Sequence, residues 1–226
     1  MKQAYFIFNN ISSEDYLMVN KLPSIVKAQK DIQKIEIEGR DGFLTQDNKA
    51  YKGTIKTAEC TIMDLKHIDF ICSWLSGSSD VIFSNEPSKK YKATIINQIE
   101  FSKVAAEFRS LIIQFECQPF KHNLYDEFIT LILPGMIINP GYYSQPILTI
   151  YGTGNVEIVV NGEAVTLNNI VEYVTVNSEL LDAYKLTALK NNDMIGNFPI
   201  FQSGENSINW TGNVTKIGIM PNWRWL

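Results

Sequence analysis

Apolar and polar residues alternate along much of this chain, and a period of two predicts strands. Ile35, Ile37 and Gly39 alternate with Glu36 and Glu38. Gly39-Arg40-Asp41-Gly42 then reads as a turn, because glycine adopts left-handed conformations at little cost. A further strand is predicted over Tyr51 to Met63, with Ile55, Thr57, Glu59 and Thr61 on one face. Val81-Ile82-Phe83 opens another, and Lys89-Lys90-Tyr91 begins one that continues through Ile95 and Ile99. Phe108 to Gln118 is a last strand of this part, ending at Pro119. One segment has a different period. From Asp64 to Gly77 the residues Leu65, Ile68, Ile71, Cys72 and Leu75 recur at spacings of three and four. That stripe predicts a helix, with Asp64 as N-cap and Gly77 just past its end.

The second half reads as all-β. Val156, Ile158 and Val160 alternate, Asn161-Gly162 follows, and Val165 and Leu167 alternate again. An Asn-Gly pair between two alternating runs is a strong hairpin signal, because a type I′ turn needs positive φ at both central residues. Short strands are predicted at Ile147–Tyr151, Val171–Val176, Tyr184–Leu189, Ser207–Trp210 and Lys216–Met220. Their near-regular spacing is that of a β-sandwich of about a hundred residues.

Composition adds a boundary. The chain has 226 residues and a formal charge of -4. Charged side chains are 33 of the first 128 residues and 11 of the last 98. We place a domain boundary near residues 125–140, giving domains 1–128 and 129–226, joined through Pro134-Gly135 and Asn139-Pro140-Gly141. The acidic balance argues against a basic nucleic-acid surface or a polybasic membrane anchor. No apolar run approaches the roughly 20 residues of a membrane span; Phe128 to Leu133 stops at Pro134-Gly135. No signal peptide is visible, so the protein is expected to be made and kept inside a cell, or released without a secretion signal. Cys60, Cys72 and Cys117 are odd in number and lack CxxC spacing, which fits neither a disulfide framework nor a zinc site.

Candidate chemistry is sparse. His67 lies in the helix segment with no second histidine four residues away, and His122 lies in a predicted loop. No GxSxG elbow and no P-loop occur. Glu36 and Glu38 on one strand face would stand about 7 Å apart, a spacing that glycosidases use and that any exposed strand also produces. Gly152-Thr153-Gly154 lacks the third glycine of a dinucleotide fingerprint and reads as a turn. Lys89-Lys90-Tyr91-Lys92, a basic cluster, reads as a solvated strand start. No catalytic, metal or cofactor residues are assigned, and the chain is not read as an enzyme. Trp210, Trp223 and Trp225 sit within the last seventeen residues. They could form a sugar platform or a packed face; Trp223 and Trp225 alternate, and the packed face is preferred.

Taken in order, several segments resemble the distal tail proteins of long-tailed phages that infect Gram-positive bacteria (siphophages). They are Ile37-Glu38-Gly39-Arg40-Asp41-Gly42, the helix through Trp74-Leu75, and Phe108 to Phe120, which ends in Pro-Phe. Next come Asn139-Pro140-Gly141, Ser144-Gln145-Pro146 and Gly152-Thr153-Gly154. The last are Asn197-Phe198-Pro199, Ser203-Gly204-Glu205-Asn206, Ile208, Trp210, Gly212 and Pro221-Asn222-Trp223-Arg224-Trp225-Leu226. The resemblance spans essentially the whole chain. It implies a mainly β protein: an N-terminal β-rich domain with one α-helix, and a C-terminal β-sandwich similar to galectins and carbohydrate-binding modules. It implies a hexameric ring built by the N-terminal domain at the virion tail tip, with synthesis in the bacterial host cytoplasm. Its partners would be the tail tube protein, the tail-associated or tail-tip protein, and receptor-binding or baseplate proteins. DNA would only pass through the ring, no cofactor is expected, and no membrane insertion. The chain is short for the resemblance and lacks long C-terminal insertions such as an extra sugar-binding module, which argues against a direct receptor-binding role. The alternative reading is a carbohydrate-binding adaptor that recognises host cell-wall glycans. Gly39, Arg40, Asp41 and Gly42 are the assembly candidates, with a purely local role in the turn set beside that.

Overall fold

The computed structural model describes residues 3–62, 64–104, 108–125 and 127–226. The chain is mainly β and divides into two compact units, residues 1–124 and 125–225.

The N-terminal unit contains β1 (Phe6–Phe8), β2 (Ile11–Ser12), β3 (Leu17–Lys21), β4 (Lys30–Glu36), β5 (Phe43–Tyr51) and β6 (Thr54–Ile62). After α1 (Ile68–Trp74) come β7 (Ser78–Phe83), β8 (Lys89–Ile95), β9 (Ser102–Lys103) and β10 (Arg109–Asn123). One antiparallel sheet runs β2-β1-β7-β8-β10-β6-β3, with β9 also on β10, while β4 and β5 pair only with each other. The core face of β10 carries Leu111, Ile113, Phe115 and Cys117. Phe115 meets Phe6, Phe8 and Phe83 edge-on, with ring centroids 5.3 to 5.7 Å apart. The helix lays Ile71, Trp74 and Leu75 on this cluster, and the Trp74 indole N–H donates to the Phe8 carbonyl at 2.8 Å.

Several expectations shift here. The helix is shorter than Asp64 to Gly77: Asp64 caps a 3-10 turn over Leu65–His67, and Ile68–Trp74 is α. Cys72 lies off the buried stripe and is exposed. The predicted strand over Tyr51 to Met63 is two strands, since β5 ends at Tyr51 and β6 begins at Thr54; Met63 lies outside the described residues. On β6 the buried residues are Lys56, Ala58, Cys60 and Ile62, the face opposite Ile55, Thr57, Glu59 and Thr61. Finally, β10 does not stop at Pro119. Its register with β8 shifts between Cys117 and Lys121, and the strand continues to Asn123, which places His122 on a strand. A proline lacks an N–H for the ladder, so a bulge is where a strand can carry one.

The C-terminal unit contains β11 (Ile129–Leu131), β12 (Gly135–Asn139), β13 (Ile147–Val160), β14 (Glu163–Asn177), β15 (Asp182–Lys185), β16 (Ala188–Leu189), β17 (Met194–Gly196) and β18 (Gly204–Met220). Their order is β11-β18-β13-β14-β15-β16, with β12 also on β18 and β17 on β14. A final short strand is β19 (Arg224–Trp225). Apart from Tyr184–Leu189, which is split between β15 and β16, the predicted short strands are halves of long ones. β13 joins Ile147–Tyr151 to Val156–Val160, β14 joins the Val165 run to Val171–Val176, and β18 joins Ser207–Trp210 to Lys216–Met220. Gly152-Thr153-Gly154 is therefore a bend within β13, not a turn between strands. A Cβ on Gly152 would lie 2.3 Å from the Asn213 carbonyl oxygen, and Gly154 has φ +77°. Gly212, at φ +90°, is the matching bend in β18. The bent halves enclose one core of Leu148, Ile150, Ile158, Val160, Ile208, Ile217 and their neighbours. The Asn161-Gly162 turn joins β13 to β14, both residues at positive φ.

Candidate assembly surface

The β4–β5 hairpin is a two-stranded ribbon with solvent on both faces. Ile35 pairs with Leu44, and Glu36 with Phe43. Ile32, Ile35, Ile37, Phe43 and Leu44 are between 39% and 51% exposed. A hairpin with no third strand and no packed face is marginal in water, and this one is tied down at its base by charge instead. Lys30 bridges Asp47 at 2.8 Å, Lys52 bridges Asp31 at 3.3 Å, and the Asn48 amide donates to Asp31 at 2.9 Å. These bonds hold both carboxyls below the usual carboxylate range. For Asp31 the hydrogen bond from Asn48 dominates, for Asp47 that from Lys30.

Gly39, Arg40, Asp41 and Gly42 form the tip. Gly39 and Gly42 have φ of +78° and +82°, the left-handed region, with open space where a Cβ would sit. The Arg40 N–H donates to the Ile37 carbonyl at 3.1 Å. The Arg40 and Asp41 side chains are exposed, beside a shallow hollow of about 580 Å³ whose lining includes Glu36, Glu38 and Phe43. Glu38 falls in the turn beyond the end of β4, so Glu36 and Glu38 are not a paired-carboxylate strand face. Lys34 lies over the Phe43 ring at 4.6 Å.

The basic cluster is more built than its sequence suggested. Tyr91 is buried, with the Lys56 ammonium 4.5 Å from its ring centre. Its hydroxyl donates to Glu86, which also bridges Lys121 at 2.6 Å. Lys89 donates to Asn123 at 2.7 Å. Burial pushes Lys56 down and Tyr91 up. Burial also pushes Glu86 up, but the bonds from Lys121 and Tyr91 outweigh it and its carboxyl is lowered. Sequence reading missed Glu86; Asn85-Glu86-Pro87 looks like any polar loop. Among the described residues no group of three or more His, Cys, Asp or Glu side chains could hold a metal ion.

The C-terminal motif residues build the fold. Trp223 is 5% exposed and packs on Phe201, with ring centroids 5.8 Å apart; Trp210 and Trp225 pack partly buried on the same core. None of the three offers an open face of the kind a sugar platform needs. Arg224 donates to the Tyr143 carbonyl at 2.6 Å and to Gln145 at 3.1 Å. Asn139 is buried, accepting from the Gly141 N–H and donating to the Tyr142 carbonyl, both at 2.8 Å. Gly141 must be glycine, since a Cβ would lie 2.4 Å from the Arg224 carbonyl oxygen. Asn206 accepts from Asn161 and from the Gln202 N–H, both at 2.7 Å.

No protein-family model matches the chain, and no curated protein matches it by sequence. Among solved structures it is similar to the Dit (gp 19.1) protein of SPP1, described as a paradigm of the hub adsorption apparatus in phages infecting Gram-positive bacteria. The TM-score is 0.81 at 13% identity, and the whole of each chain is covered. From end to end, both units included, this chain has the fold of that phage tail hub protein.

Proposed function

We propose that this chain is a structural distal tail protein, a hub at the virion tail tip. The observation that carries the reading is the full-length agreement in fold with a hub protein at a TM-score of 0.81. The protein it resembles in fold is described as a hub, and among the described residues no group of three or more His, Cys, Asp or Glu side chains could hold a catalytic metal. In this reading residues 1–128 form a ring, with six copies expected, and the β4–β5 hairpin with its Gly39-Arg40-Asp41-Gly42 tip contacts the next subunit. A heterologous contact repeated by one rotation closes such a ring. The hairpin supports this because its apolar residues stay 39% to 51% exposed in the single chain, and a neighbouring subunit would cover them. The sandwich, residues 129–226, would face the receptor-binding or baseplate proteins. The tail tube and tail-tip proteins would stack on the ring, with DNA passing through it. Localisation is then the tail tip, after synthesis in the host cytoplasm.

The test is electron microscopy of the purified full chain at high concentration, with sedimentation alongside. Sixfold rings with a central hole are expected. Monomers that stay monomeric when tail tube and tail-tip proteins are added would sink the reading.

A further inference from the structure

The C-terminal unit treats its sheet edges differently. On one side the last strand is β16, only two residues long, flanked by Lys185 and Lys190. Short strands and lysines are how proteins stop an edge from pairing with another chain. On the other side β11 and β12 follow one another along β18, at Ile217 to Ile219 and at Gly204 to Ile208. β13 occupies the opposite side of β18 along the first stretch and meets the second at Ile208. Among the described residues β12 pairs with no strand but β18, so its outer side faces no other strand of the unit.

Pro134 and Pro140 bound this second edge, but the strand between them carries no charge. Ile132, Leu133, Met136 and Ile138 are 67% to 72% exposed. No Asp, Glu, Lys or Arg occurs between Phe128 and Val156. β12 alternates cleanly, with Ile137 and Asn139 buried and Met136 and Ile138 outward. An open, uncharged, apolar edge strand is a template for another strand. Charge also bears on what that strand is. Across a two-fold axis every charged residue meets the environment of its own copy, so an edge that pairs with itself is favoured by having no charge to repel. The rest of the chain is net acidic, and this segment is neutral.

We infer that β12 pairs antiparallel, about a two-fold axis, with β12 of a second copy of this chain. A register centred on Ile137 sets Met136 opposite Ile138 of the second copy, twice, on the outward face. The two sheets then run on as one, and four exposed apolar side chains cover each other. This contact is separate from the hairpin contact proposed for a ring and does not rest on it.

The test uses the full chain with Cys72→Ser, since Cys60 and Cys117 are buried. Directly opposed strand residues have Cα atoms about 4.5 to 5.5 Å apart, within disulfide range. The Met136→Cys/Ile138→Cys double variant should give covalent dimers on a denaturing gel under mild oxidation. Either single cysteine should give at least tenfold less, because each then faces a non-thiol. Separately, Ile138→Lys should raise the dimer dissociation constant at least tenfold by sedimentation, with an unchanged melting temperature as the folding control. No crosslink in the double variant, equal crosslinking by the single variants, or a dimer that survives Ile138→Lys overturns the proposal. So does crosslinking that appears only when another protein is added. Hairpin substitutions should remove rings and leave this crosslink, so the two proposals fail separately.

Discussion

The carboxylate of Glu86 faces the ammonium groups of Lys121, Lys56 and Lys89. Glu86→Gln leaves those cations near a buried tyrosine without their counter-charge. Removing one partner of such a pair costs about 3 kcal/mol, and thermal or urea unfolding at neutral pH reads it. The pH dependence has a definite sign. Because the folded carboxyl is lowered from 4.5, its stabilisation is complete above that value and is lost as pH falls through the lowered one. The variant should therefore show a flatter acid limb than the parent; parallel limbs would mean that Glu86 is not the titrating group. The thiols give a second residue-scale check. Burial pushes Cys60 and Cys117 up to about 12, so both are protonated as well as inaccessible, whereas Cys72 is exposed. Ellman's reagent at pH 8 should titrate one thiol in the native protein and three after unfolding. A second native thiol would contradict the core faces assigned to β6 and β10. The reversed face of β6 was not legible in the sequence, because Lys56 stands at a core position. A lysine there argues for solvent until its stem is seen alongside Tyr91.

Among the elements, those set by local rules could be read directly. Asn161-Gly162 announced its hairpin because only a few residues accept positive φ twice. The helix announced its apolar stripe, though not its ends. The bends in β13 and β18 were illegible, since Gly152-Thr153-Gly154 looks the same whether a chain turns back or continues through a corner. What decides is the neighbouring strand, and the neighbour is sixty residues away. The two glycines should respond differently. Gly154→Ala meets open space and costs about 1 kcal/mol for its left-handed backbone. Gly152→Ala must move the Asn213 carbonyl as well and should lower the melting temperature further. If the order is reversed, the corner is not built as described. The hairpin obeys a different rule, because its apolar residues support nothing in the chain itself. Phe43→Ser with Leu44→Ser should leave the melting temperature within a degree or two and abolish rings in the microscope. A large loss of stability would instead make the hairpin part of the fold.

At the scale of the whole molecule, the sequence showed a mainly β chain with a change of composition along it. It hid how the surface is spent. The three tryptophans near the end read as a packed face in preference to a sugar platform, and Trp223 is core with Trp210 and Trp225 packed against it. Among the exposed apolar positions are those of the hairpin and of one strand edge, which a count of hydrophobic residues cannot distinguish from core. One feature of the sandwich has a mechanical consequence for any hub. β13, β14 and β18 each pass through the bend, so both halves of the unit share the same three strands. The pairing irregularities of β13 fall at that bend, so a slip of one residue would turn buried side chains outward within a half, while the corner is where the ladder already accommodates a shift. Pulled or crowded by whatever attaches to it, the unit has its give at the corner and its rigidity in the two halves.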